Sequence, residues 1–222
     1  MAEARAERIC DASVAMLCGA MSRLEVGALG LVSFGGTKGV TTLHTLGDPF
    51  DENAGVKVAS ALGFDQDATV QQQPMMDVVA KGLAMLEAGR NEIPGPTNTG
   101  AGGGGGGGGG EGGAAPHQLF LIVADGRINE GRGMRSLVHD AMASSAAGGG
   151  LLIVFIVLDT EANSLLDVKT VEFVEGKPVM KGYMESFPFP LYIVLRELAS
   201  LPNTLADLIR QWVEHTMLAG GG

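Results

Sequence analysis

Few residues of this chain could do chemistry, and the most telling is Asp125, near the end of the stretch His117–Arg127, HQLFLIVADGR. The unbroken apolar run Leu119–Val123 suits a strand buried on both faces, as in a parallel sheet layered with helices. A carboxylate just past the carboxyl end of such a strand lies in the crevice where open α/β sheets hold ligands. Asp and Gly are equally the default turn residues, so a cap on its own turn is the plain alternative for Asp125. Thr69 offers a second loop oxygen, within the polar stretch Gly63–Gln73. Asp67, two residues earlier, is either a substitute ligand or a solvated loop acid. His44, in the strand-like Val40–Leu46, could bind a metal, but no second ligand stands at helix or strand spacing. It is read as a solvent-facing strand histidine. Asp159 closes another apolar run, Leu151–Leu158, and is read as a turn cap.

One stretch invites a phosphate-binding reading and fails it. Gly100 to Gly113 holds 12 of the 35 glycines, nine of them consecutive. A phosphate-cradling loop needs Gly-Lys-Ser/Thr opening a helix, and no Lys or Arg lies between Arg90 and Arg127. A run so poor in side chains cannot bury enough surface to offset its chain entropy. Residues 91–115 are therefore read as a flexible insert within one domain spanning 1–222.

The elements that would position these residues alternate. Ala2–Arg23 has a helical apolar stripe, Ala28–Phe34 (ALGLVSF) reads as a second buried strand, and Val40–Leu46 as an edge strand. Asn53–Leu62 is a short helix with Asn53 as its N-cap. Pro74 opens a helix running to about Ala88 with Met75, Val78, Val79, Leu83 and Leu86 on its apolar face. After the Asp125 strand come a helix over Arg132–Ala147, the strand Leu151–Leu158, and a hairpin from Val171–Val174 and Pro178–Met180. Phe187-Pro188-Phe189-Pro190 is extended because each residue before Pro is pushed out of the helical region. It leads into the strand Leu191–Leu195 and a closing amphipathic helix, Pro202–Met217. Strands and helices in this alternation predict an α/β, doubly wound, mostly parallel sheet with helices on both faces.

Composition narrows the function classes. A formal charge of −10 in 222 residues argues against a nucleic-acid surface. The longest apolar run is far shorter than the roughly 20 residues of a membrane span, and Met1–Ala6 is not a signal peptide. Cys10 and Cys18 sit too far apart along a helix, about 12 Å of rise, for a disulfide, so the chain reads as reduced and intracellular.

Longer words then carry a resemblance: LEVGALGLVSFG (Leu24–Gly35), LIVADGRINEG (Leu121–Gly131), NSLLDVKTVEFVEGKPV (Asn163–Val179) and YMESFPFPLYIVLRELASLPNTLADLIRQW (Tyr183–Trp212). Together they resemble the C-terminal von Willebrand factor A (VWA) domain of the midasin family, giant AAA-type ATPases of large ribosomal subunit assembly. The resemblance implies a Rossmann-like VWA sheet with a metal-ion-dependent adhesion site (MIDAS) built from three loops. Asp125 matches the third-loop Asp and Thr69 the second-loop Thr. The first-loop Asp-x-Ser-x-Ser and the central strand before it have no counterpart, so the expected sheet lacks its first central strand. Its neighbours, Ala28–Phe34 and Leu119–Ala124, would then face a gap or pair directly.

A site of this kind implies Mg²⁺, held weakly or not at all by Thr69 and Asp125 alone, since the ion wants about six oxygens. The chemistry is binding: an electron-poor ion accepts a carboxylate from a partner. The implied partners are ubiquitin-like domains of pre-60S assembly factors and the pre-60S particle, in the nucleolus and nucleoplasm, with no direct nucleic-acid or membrane contact. Without Walker motifs the chain is expected not to be an enzyme, ATP being used only elsewhere in the parent. Two alternatives stand beside this reading. A haloacid-dehalogenase-like phosphotransferase needs a second Asp two residues after the first, where Arg127 stands. An extracellular adhesion VWA domain fits poorly with unpaired cysteines.

Overall fold

In a computed structural model of the chain, the described residues are 14, 18–19, 28–35, 39–61, 75–92, 117–128, 131–145, 150–159, 164–174 and 176–219. The strands are β1 (Leu31–Ser33), β2 (Thr41–His44), β3 (Gln118–Ala124), β4 (Leu151–Leu158), β5 (Lys169–Val174), β6 (Lys177–Gly182) and β7 (Tyr192–Leu195). The helices are α1 (Glu52–Ala61), α2 (Met75–Glu92), α3 (Gly131–Ser145) and α4 (Leu201–Ala219).

The central sheet is β3-β4-β7, parallel throughout, with Ala124 opposite Val157 and Leu158 opposite Leu195. β4, LLIVFIVL, lies between its two neighbours and is buried along nearly its whole length. Its two faces serve two cores. Ile153, Phe155 and Val157 pack with Met75, Val78 and Val79 of α2 and Met134 and Val138 of α3. On the opposite face Ile156 packs with Leu201 and Leu205 of α4. Helices thus cover both faces, and an eight-residue strand with no polar side chain can sit between them because its backbone pairs with β3 from Leu151 to Val157 and with β7 from Phe155 to Leu158. The α/β class and the parallel sheet stand as expected, and the arrangement is compatible with a Rossmann-like fold.

Four sequence expectations need correction. β3 was expected to be buried on both faces, but only Gln118 and Ile122 are fully covered. Among the described residues β3 has a strand partner on one side alone, so its flanks are less sheltered than those of β4. Gln118 is buried because it is satisfied: its Nε2 donates to the Leu86 carbonyl (2.6 Å), and Arg90 donates to its Oε1. Ala28–Phe34 was expected to be a buried strand. Only Leu31–Ser33 is extended, half-buried, and paired antiparallel with β2 in a sheet of its own. The direct pairing of β1 with β3 is not seen among the described residues. The N-cap of α1 is Asp51, whose Oδ1 accepts the Ala54 N–H at 2.8 Å, and not Asn53. Asn53 is two residues too late: the Glu52–Ala61 helix has already begun.

The fourth correction is His44. It is 8% exposed, donates from Nε2 to the Asp48 carbonyl at 3.1 Å and meets the Phe50 ring edge-on. A two-stranded ribbon still has one inner face, and the turn after β2 folds Phe50 back over it.

Candidate functional site

The site is built on the edge where the parallel strands end. β3 delivers the chain at Ala124, and Asp125 emerges exposed. Its Oδ1 accepts the Arg127 N–H at 3.1 Å, a local Asx turn. Gly126 takes φ +75°, which L residues rarely adopt. A Cβ there would stand 2.9 Å from Leu165 Cδ1 and 3.0 Å from Val157 Cγ1. This position therefore needs glycine twice over, for conformation and for space. The outcome is that residue 126 is pressed into the core while residue 125 is held out.

A side chain from far along the sequence clamps the loop. The Tyr183 hydroxyl donates to the Gly126 carbonyl at 2.8 Å and accepts the Ile128 N–H at 2.7 Å. Its phenol is pushed above the usual tyrosine range, first by burial and further by the carboxylate of Asp125, against the lowering pull of the Ile128 backbone and Arg127. Arg135 of α3 donates to the carbonyls of Ser186 (2.9 Å) and Phe187, tying the segment after Tyr183 to the helix that follows the loop. Sequence reasoning missed Tyr183. No periodicity marks it, because its role is a contact across 57 residues.

The neighbouring strand end differs. Asp159 is 5% exposed; it accepts the Ser164 hydroxyl at 2.6 Å and the Leu165 N–H at 3.0 Å. It caps its turn, as expected. Thr69 and Asp67 lie outside the described residues, so the pairing of Thr69 with Asp125 is a matter for the proposal below. Cys10 lies outside them as well. Cys18 is buried and its thiol is raised to about 11 by burial, the opposite of an activated nucleophile. Among the described residues no three of His, Cys, Asp and Glu gather as a metal cluster. No helix among them is long and apolar enough to cross a membrane. For a hard cation the described site therefore supplies one suitable oxygen donor, the Asp125 carboxylate, on the open side of the sheet.

No protein-family profile matches the chain. Similarity to curated proteins does. The chain is 30% identical to midasin of Dictyostelium discoideum over 207 residues, 92% of its length. It is 39% identical to midasin of Giardia intestinalis over 102 residues, 44% of its length. The chain is homologous to a segment of midasin. It spans 3% and 2% of the length of those two midasins, so it corresponds to a small part of a very large protein. The midasin likeness covers far more than the Asp-Gly-Arg turn, which would say little by itself.

Proposed function

We propose that the chain is a VWA-type, protein-binding module of a midasin-like ribosome-assembly ATPase, acting in the nucleus. Its partners are ubiquitin-like domains of pre-60S assembly factors, each offering an acidic side chain to a Mg²⁺ ion that Thr69 and Asp125 hold together with a first-loop Asp-x-Ser-x-Ser, and weakly or not at all without it. The observation that carries this reading is the exposure of Asp125 at the carboxyl end of a parallel strand, in a midasin-related chain. Asp159, at the neighbouring strand end, is instead folded inward onto Ser164 and Leu165. Asp125 accepts one hydrogen bond among the described residues, at Oδ1.

The division of labour follows from donor chemistry. Mg²⁺ prefers oxygen donors and retains waters, and when bound it supplies an open position for an outside carboxylate. Asp125 contributes charge and the Thr69 hydroxyl a neutral oxygen. The Tyr183 clamp and the Gly126 bend hold the aspartate in place. No group here need exchange a proton, so the chemistry is adhesion. Force from the ATPase part of the parent would then be passed to the captured factor.

The test is capture of a purified ubiquitin-like domain with Mg²⁺ or with EDTA. It is run on this chain and on the chain extended by a first strand with its Asp-x-Ser-x-Ser loop. The extended chain should capture the domain only with Mg²⁺, and Asp125→Ala should abolish that dependence. Capture indifferent both to EDTA and to Asp125→Ala would overturn the reading.

A further inference from the structure

At the amino ends of β3 and β4, the edge of the sheet opposite Asp125, a closed ring of hydrogen bonds joins four elements. The Gln118 N–H donates to the Gly150 carbonyl and the Gly150 N–H to the Ser145 carbonyl, both at 3.0 Å. Gln118 Nε2 donates to the Leu86 carbonyl at 2.6 Å. Arg90 Nη2 completes the circle, donating to Gln118 Oε1 and, at 3.4 Å, to the Ser145 hydroxyl. The last turns of α2, the end of α3, the first residue of β3 and the entry to β4 are thereby tied together. Gln118 and Ser145 are both buried.

Local sequence explains why these groups meet. Gly82, Leu86 and Arg90 follow one another at four-residue spacing, on one stripe of α2, while Gln118 and Phe120 are alternate residues on one face of β3. A Cβ at Gly82 would collide with the Phe120 ring, so glycine is what lets the helix close on the strand. Gly150 takes φ +82°, in the turn that sends its N–H to Ser145 and its carbonyl to Gln118. The ring carries a penalty as well. Arg90 Nε is buried with no partner among the described residues, so the guanidinium stays there for what Nη2 joins.

The place of the ring in the chain gives it a meaning. α2 ends at Glu92 and β3 begins at Gln118, so the glycine-rich stretch 93–116 departs and returns beside it. Closure entropy grows only slowly with loop length once the two ends are fixed. The seven residues of β3, about 23 Å of strand, separate the ring from Asp125. We propose that the Arg90–Gln118–Ser145 ring is a neck clasp. It makes 93–116 a permissive insertion, whose length, or a cut within it, alters neither the sheet nor the Asp125 loop.

The experiment compares the 222-residue chain with two others. In a short form an eight-residue Gly-Ser linker replaces 93–116; in a cut form a site-specific protease sequence replaces Gly102–Gly110. The short form should melt within about 3 °C of the parent, and the two halves of the cut form should co-elute in gel filtration. The Arg127 and Ile128 amides, bonded to Asp125 and Tyr183, should exchange hydrogen alike in all three forms. In the full chain Gln118→Leu and Arg90→Met should each lower melting by about 5 °C. Either should speed exchange at the residue 118 and 150 amides about tenfold. That acceleration should shrink severalfold in the short form, because a short linker holds the ends together when the ring does not. Equal acceleration in both forms would overturn the proposal, since the ring would then be ordinary packing. So would ring variants that melt and exchange as the parent does. A short form melting about 10 °C lower, halves that separate on cutting, or altered exchange at Arg127 and Ile128 would overturn it too, because the stretch would then be part of the fold.

Discussion

Two aspartates end two adjacent parallel strands at the same edge of the sheet, and they have opposite fates. Asp159 follows β4, is buried, and spends its oxygens on Ser164 and Leu165. Asp125 follows β3, is exposed, and accepts one backbone N–H from two residues on. Both stand after an apolar run, so position at a strand end does not separate a structural carboxylate from a candidate ligand. What separates them is the chain that follows. After Asp159 a hydroxyl and an amide return five and six residues later to meet the carboxylate. After Asp125 the glycine bend turns inward and leaves the carboxylate outside.

Substitutions can sharpen or break this contrast. The largest effect is expected for Asp159→Ala, which leaves the buried Ser164 hydroxyl and Leu165 amide without their acceptor. A loss of about 3 kcal/mol in urea unfolding is expected. Gly126→Ala comes next, at about 2 kcal/mol, because the positive φ and the contacts with Leu165 and Val157 both resist a methyl group. Tyr183→Phe should lose about 1 kcal/mol by removing the hydroxyl from Gly126 and Ile128. Its pH profile should change as well. The folded phenol is raised above its ordinary value, so its share of stability is full below the unfolded pKa and is lost as pH rises through the folded one. In the Phe variant that alkaline decline should be reduced. The smallest effect on stability belongs to Asp125→Ala, within about 0.5 kcal/mol. Asp125→Asn should in addition lower the Tyr183 phenol pKa, read by ultraviolet titration, since the carboxylate is one of the causes that raise it. If Asp125→Ala proves as damaging as Asp159→Ala, the two strand ends are both structural and the contrast is lost.

Legibility in the sequence followed the range of the interaction. β4 was read almost to the residue, because eight consecutive apolar side chains admit few environments. The buried faces of α2 and α4 followed from three- and four-residue spacing, with Met75, Val78, Val79, Leu205 and Ile209 all inside. The hairpin was found, but short: it runs Lys169–Val174 and Lys177–Gly182, because pairing extends past the hydrophobic residues that advertise a strand. His44 was placed on the wrong side because its alternation pattern could not show Phe50 folding back on it. At the site, Asp125 was legible from its place after the strand, whereas Tyr183 was invisible.

The sequence by itself determined the α/β class, the central apolar strand, the helix faces and the candidate role of Asp125, since each rests on residues close together in the chain. Only the tertiary structure decided that β4 and not β3 is enclosed on both sides, that Asp159 is sealed while Asp125 is open, and that a tyrosine from beyond the hairpin braces the loop. It also decided that the hairpin leaves an apolar face uncovered. Burial, clamping and exposure depend on what distant segments bring to the same place, and spacing along a chain carries no record of that.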